Sequence, residues 1–192
     1  MLTTIRRLGL VVILAAACAP AARAADTYGV DPVHSSVTFM VPHLGISYVH
    51  GRFNDVSGKF IIDKADPGKS SFALSIKVES VDTNNAKRDE HLRGPDFFNA
   101  KQFPAMTFQS TSVKAVDGGY EVTGDLTMHG VKKAVTFTLK GGDKVVEFPK
   151  GTQRIGLTAS LVLKRSDFDM KQLLEAVGDE VHIVIGVEGV KQ

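Results

Sequence analysis

The chain has 192 residues, 43% of them hydrophobic, 23% charged and 7% aromatic, with a formal net charge of +2. That length favours one domain, and the apolar content excludes a disordered or collagen-like chain. The net charge is too small to argue for a nucleic-acid partner, and the single Cys excludes an intramolecular disulfide.

The first 24 residues read as a secretory signal peptide. Arg6 and Arg7 form a basic start, Leu8 to Ala17 is an uncharged apolar run, and Ala22-Arg23-Ala24 is a small-x-small cleavage site. The run falls short of the roughly 20 apolar residues of a membrane-spanning helix, and nothing later reaches that length, so no integral membrane segment is expected. Cleavage after Ala24 leaves residues 25–192 as the mature domain, exported to the periplasm. Acylation of Cys18 as a lipoprotein is the minor alternative, because a strong site would carry Leu where Ala15 stands. Cleavage removes Arg6, Arg7, Arg23 and Cys18 and no acid. The mature domain is therefore slightly acidic and free of thiol chemistry.

Beyond the leader, the pattern is period-2 alternation. In chain order, Val37, Phe39 and Val41 alternate with Ser36, Thr38 and Met40; Gly58–Asp63 is a shorter candidate; and Phe72, Leu74, Ile76 and Val78 alternate with polar or small neighbours. Met106–Val113 is another short candidate. Longer runs follow at Tyr120–Met128, Val135–Leu139, Ile155–Leu163 and Val181–Val187. Asp66-Pro67-Gly68, Asp117-Gly118-Gly119, His129-Gly130 and Gly141-Gly142 read as turns. Asn84–Arg93 is polar and reads as including a short helix. Met170–Val177, with Leu173, Leu174 and Val177 at helical spacing before Gly178, reads as a second. No linker, repeat or low-complexity segment separates these elements.

About eight one-faced strands at hairpin spacing predict an all-β fold, an eight-stranded antiparallel barrel with one or two short helices. Closure removes exposed edges and leaves an interior that side chains fill alone or share with one small ligand. On the inward face, Phe39, Leu74, Ile76, Phe108, Leu126, Met128, Phe137 and Leu161 are the expected lining of such a cavity.

The polar candidates are fewer. None of His34, His43, His50, His91, His129 and His182 has the i, i+4 partner of a zinc-protease helix, so no metal is expected. His34 and Ser35 point to opposite faces of a strand, and no G-x-S-x-G elbow exists, which argues against nucleophilic catalysis. His34, His43 and His91 are candidates for one polar cluster at the barrel mouth. Lys87–Arg93 reads as a solvated helix face, with Arg88 or Arg93 as the functional alternative at the rim. Arg165 and Asp167, bracketing Ser166, read equally as a structural ion pair.

An ordered set of motifs makes the chain similar to a known family. Asp31-Pro32-Val33-His34-Ser35-Ser36-Val37, His43-Leu44-Gly45 and Gly51-Arg52-Phe53-Asn54-Asp55 open it. Lys87-Arg88-Asp89-Glu90-His91-Leu92, Phe103-Pro104-Ala105-Met106-Thr107-Phe108 and Gly124–Val131 follow. Arg165-Ser166-Asp167-Phe168 and Val177–Val181 complete it. The set resembles the YceI family of bacterial periplasmic polyisoprenoid-binding proteins over residues 27–190. That resemblance implies a lipocalin-like barrel holding an isoprenoid-type amphiphile, a polyprenyl compound or a quinone, with no cofactor in the catalytic sense. His34, His43, Arg88, His91 and Arg165 are then the expected head-group contacts at the mouth. Pro42 departs from relatives that carry a backbone donor there, and the strand is expected to stop at it. Relatives also vary around Met170–Val177. A homodimer stays open. Two other functions compete with the carrier reading: a packed-barrel stress or interaction protein without ligand, and an enzyme acting on a bound quinone or lipid.

Overall fold

The computed structural model describes residues 25–192, so the expected leader, its cleavage point and Cys18 lie outside the described residues. The strands are β1 (Asp26–Val30), β2 (Ser36–His43), β3 (Ser47–Phe53), β4 (Val56–Ile62), β5 (Ser71–Lys77) and β6 (Val81–Asp82), followed by helix α1 (Ala86–Arg93). Then come β7 (Ala105–Val116), β8 (Gly119–Met128), β9 (Val131–Glu147), β10 (Gln153–Lys164) and β11 (Glu180–Lys191).

All the pairings are antiparallel, and the sheet closes on itself through β1 and β11. One edge of β11 is shared: Gly189–Lys191 pair with β1, and His182–Gly186 pair with β2. β4 and β3 continue this split, and β5 and β6 continue it again. Strands β1/β2, β3/β4 and β5/β6 are therefore three bent staves. With β7 to β11 they make a closed, eight-staved, up-and-down barrel, as the alternation predicts. Side-chain bonds fix the bends. The Asp31 carboxylate accepts from Val33 N at 2.9 Å, and Ser80 Oγ accepts from Asp55 N at 3.0 Å.

Two buried groups fill the interior. At one end Tyr28, Phe60, Phe72 and Tyr120 stand in successive ring contact, with centroids 5.4, 5.9 and 6.1 Å apart. They seal that end together with Val122, Ile155 and Leu157. At the other, Phe53, Val78, Val81, Met106, Met128, Phe168 and Met170 pack beneath α1 and the segment before β11.

Three local expectations are corrected. Gly141-Gly142 is no turn: β9 runs through it, with φ of 94° and 85° at the two glycines. Ile155 pairs with Val145 and Leu157 with Gly141, so extra residues bulge out of β9 there. A Gly pair relieves steric strain in a bulge as it does in a turn, and the residue types cannot separate the two. Met170–Val177 forms turns instead of a helix, with Leu173 in the left-handed region at φ 56°. β2 also passes Pro42 and pairs it with Tyr48. The Pro42 carbonyl points away from β3, accepting from Gly178 N at 2.8 Å. Its missing donor faces the same side, where β11 has already stopped pairing at Met40, so no ladder bond is lost. Strands β1, β3 and β6 were not among the elements expected from alternation; they are short or half-exposed pieces of the bent staves.

Candidate functional site

Inward positions of β2, β5, β7, β8, β9, β10 and β11 converge on one cavity of about 160 Å³. The eight side chains expected on its lining all border it, and its surface is almost wholly apolar. Period 2 explains this placement: each strand sends every second residue inward whatever its neighbours do. Alternation could not supply the part of the wall that comes from outside the strands. Leu92 comes from α1, Phe97 and Phe98 from the turn after it, and Met170 and Val177 from the segment before β11.

Glycines set the bore. Gly51 stands opposite Phe39 in the β2–β3 ladder, and Gly124 lies beneath Phe108, whose Cζ would be 2.5 Å from an added Cβ. The aromatic rings thus fold down over backbone where a side chain would otherwise hold them upright.

Of the five expected head-group residues, Arg165 alone borders the cavity. It is 5% exposed, and its guanidinium donates to three carbonyls: Nε to Gly178 at 3.0 Å, Nη1 to Met170 at 2.7 Å and Nη2 to Val177 at 2.7 Å. The expected pairing with Asp167 is replaced by these bonds, which latch the 170–178 segment across the barrel end. Burial pushes the Arg165 pKa down, opposed by the charge of Asp179. Asp179 accepts from Ser166 N at 2.9 Å and Ser166 Oγ at 2.7 Å. Burial works to raise its carboxyl, but the Ser166 bonds and the nearby cations outweigh it and hold it below the usual carboxylate range. His129, in the β8–β9 turn, braces the same region with Nδ1 3.0 Å from the Phe168 carbonyl.

The three histidines do not form one cluster. His34 precedes β2 and His43 ends it, and nine residues of strand span about 30 Å. His34 Nδ1 lies 2.9 Å from Asp31, whose Oδ2 also takes Arg154 Nη1 at 2.6 Å; the same Nη1 meets Glu188 at 2.5 Å. The His34 and Arg154 bonds hold the Asp31 carboxyl far below the usual range. Asp31, His34 and Glu188 are close enough together to ligate a metal, but Arg154 already supplies the balancing charge between the two carboxylates. His43 bridges to Val177, and His91 pairs with Asp96 at 3.1 Å with its ring edge-on to Phe97 at 5.0 Å, behind the cavity wall.

The charge run of α1 is not a uniformly solvated face. Asp89 is buried and accepts from Thr83 N at 2.8 Å and Thr83 Oγ1 at 2.5 Å. Arg88 donates from Nε to Thr83 Oγ1 at 2.7 Å and from Nη2 to Thr83 O at 2.8 Å, and lines an open groove outside the barrel with His50, Arg52 and His182. Arg93 is likewise spent on carbonyls, those of Glu79 at 2.9 Å and Val81 at 3.2 Å. These bonds pin the helix over the barrel end and explain why Leu92 reaches the cavity.

A closed eight-staved barrel, sealed at one end by aromatic rings and enclosing an apolar cavity beneath a latched loop, defines a lipocalin-like protein. Residues 28–189 match the YceI-like domain, and the chain belongs to that family. It is 42% identical over 162 residues to the protein YceI of Escherichia coli O17:K52:H18, covering 83% of each. It is 42% identical over 176 residues to a UPF0312 protein of Pseudomonas aeruginosa, covering 89% of this chain and 90% of that one. Among solved structures, BcnA of Burkholderia cenocepacia superposes with a TM-score of 0.74 at 27% identity, over 83% of this chain and 98% of that one. The Campylobacter jejuni YceI protein gives 0.70 at 33%, over 79% and 90%. A domain from Saccharophagus degradans described as polyisoprenoid binding shares the fold, with a TM-score of 0.66 at 19% identity, over 86% and 98%. No helix among the described residues is long and apolar enough to cross a membrane.

Proposed function

We propose that this protein is a periplasmic, non-catalytic carrier or store for an isoprenoid-type lipid, a polyprenyl compound or a quinone, whose tail enters the barrel. The observation that carries the reading is the cavity: its lining is apolar, and the one charged residue on its wall among the described residues, Arg165, is committed to carbonyls. The family supports it, because this chain has the same barrel.

Such a site draws its affinity from the tail. Each buried CH₂ contributes about 0.8 kcal/mol, so ten contribute roughly 8 kcal/mol before ordering costs, which is about micromolar binding. The resting volume of about 160 Å³ is close to the roughly 150 Å³ apolar void that admits one benzene ring. A longer tail enters as the rings of Phe39, Phe98, Phe108 and Phe137, which border the void, swing aside.

The test is a chain-length series of prenyl alcohols, with thermal shift or competition as the readout. Affinity is expected to climb with each added isoprene unit until the barrel is full, and to change little when the hydroxyl is exchanged for another end group. Affinity that ignores tail length and follows the end group would overturn the reading.

A further inference from the structure

The barrel end that carries the 170–178 loop exposes large apolar side chains. Ile46 is 83% exposed and Leu44 58%, both on the β2–β3 turn, with Leu173 and Leu174 also exposed on the loop beside it. The two elements are stitched together. Leu44 N donates to Ala176 O at 2.7 Å, Gly178 N donates to Pro42 O at 2.8 Å, and His43 bridges to Val177. The loop is two-sided: Met170 and Val177 line the cavity, while Leu173 and Leu174 face out.

Turn chemistry does not ask for these residues. Leu44 has φ 52° and Leu173 has φ 56°, left-handed positions that Asn or Gly fills at less cost. At both places the chain accepts backbone strain and an exposed apolar side chain together, and both places lie on one face. The neighbouring charges do not make a basic patch, because Lys171 is paired with Asp169 at 2.9 Å and Glu175, exposed beside Leu174, is acidic. Elsewhere exposed Phe148 is different in kind: its carbonyl takes Arg154 Nε at 2.8 Å, beside the Asp31–Glu188 charge cluster and away from the cavity.

We propose that this face docks on a lipid bilayer, with Leu44, Ile46, Leu173 and Leu174 entering the interface, so that the loop latched by Arg165 lies between the acyl layer and the cavity. The bilayer is the occupant because the face is continuous, through one loop, with an apolar cavity, and because apolar insertion without a basic patch suits a lipid interface. The proposal rests on the lipid reading of the cavity.

The chain has no Trp, so Ile46→Trp places a single reporter on the face. Phosphatidylcholine vesicles are expected to shift its emission to the blue and to float the wild-type protein, with little dependence on salt. The double variant Leu44→Asn/Leu173→Asn should keep or slightly raise the melting temperature and lower vesicle partitioning by about tenfold or more. Phe148→Ser should partition like wild type. Equal flotation of the Asn variant, or none by wild type, overturns the proposal. So does a dimer that Leu44→Asn/Leu173→Asn dissociates while vesicles are ignored, because the face is then covered by a second copy. A prenyl alcohol presented from cyclodextrin separates the two readings: uptake from cyclodextrin without vesicle binding sinks docking alone, and no uptake sinks the cavity reading with it.

Discussion

The ring of Phe39 occupies the space a side chain on Gly51 would need: a Cβ there would lie 2.3 Å from Phe39 Cζ. The two residues face each other across the β2–β3 ladder, so bulk added at Gly51 must displace the ring. Gly51→Ala should force the ring inward, at an overpacking cost of about 1–3 kcal/mol, and narrow the cavity. Chemical denaturation reads the stability and a prenyl-alcohol titration the affinity. Unchanged affinity with the expected loss of stability would show that the ring does not gate the bore.

Leu126 and Leu157 belong to different parts of the interior. Leu157 is 2% exposed among the sealing residues, whereas Leu126 borders the void. Leu157→Ala should cost about 2–5 kcal/mol. Leu126→Ala should cost less in the empty protein and more in tail affinity, because its neighbours already face open space. Equal costs and no effect on binding would favour a fully packed barrel.

Arg165 holds the end loop through three carbonyls. Arg165→Met should orphan them, each at about 1–3 kcal/mol unless the loop opens to water. Amide exchange should therefore rise across 169–178 and stay slow in β10 and β11. Arg165→Lys should not rescue it, because one ammonium lacks the planar fork that reaches three acceptors.

How far the sequence could be read follows from the range of each interaction. Phe108 and Leu126 were placed on the lining by alternation, which is local. Arg165 reads from the sequence either as a head-group contact or as an ion-pair partner of Asp167, but its partners lie five to thirteen residues on, in carbonyls that no residue type announces. Asp89 was hidden in a charge run because its partner is a backbone amide, that of Thr83, rather than a cation. Leu173 and Leu174 carried helical spacing, yet their turn exposes them.

Acid should destabilise the fold. Asp31 and Asp179 have carboxyls held below their unfolded values, so the folded state binds their protons less readily than the unfolded chain. Their contribution is complete above the unfolded pKa of about 3.9 and is lost as pH falls through the lower folded values. The melting temperature should drop steeply below about pH 4. Asp31→Asn should lower it at neutral pH and flatten the acid slope. A slope identical to wild type would remove Asp31 from this account.

A barrel that holds a lipid tail should carry it through isolation. The decisive measurement is mass spectrometry of an organic-solvent extract of protein isolated from its native compartment without detergent. An isoprenoid in a near-constant ratio to protein, depleted in Gly51→Ala, is the predicted result. An extract without lipid from a protein that also takes up no added prenyl alcohol would contradict it.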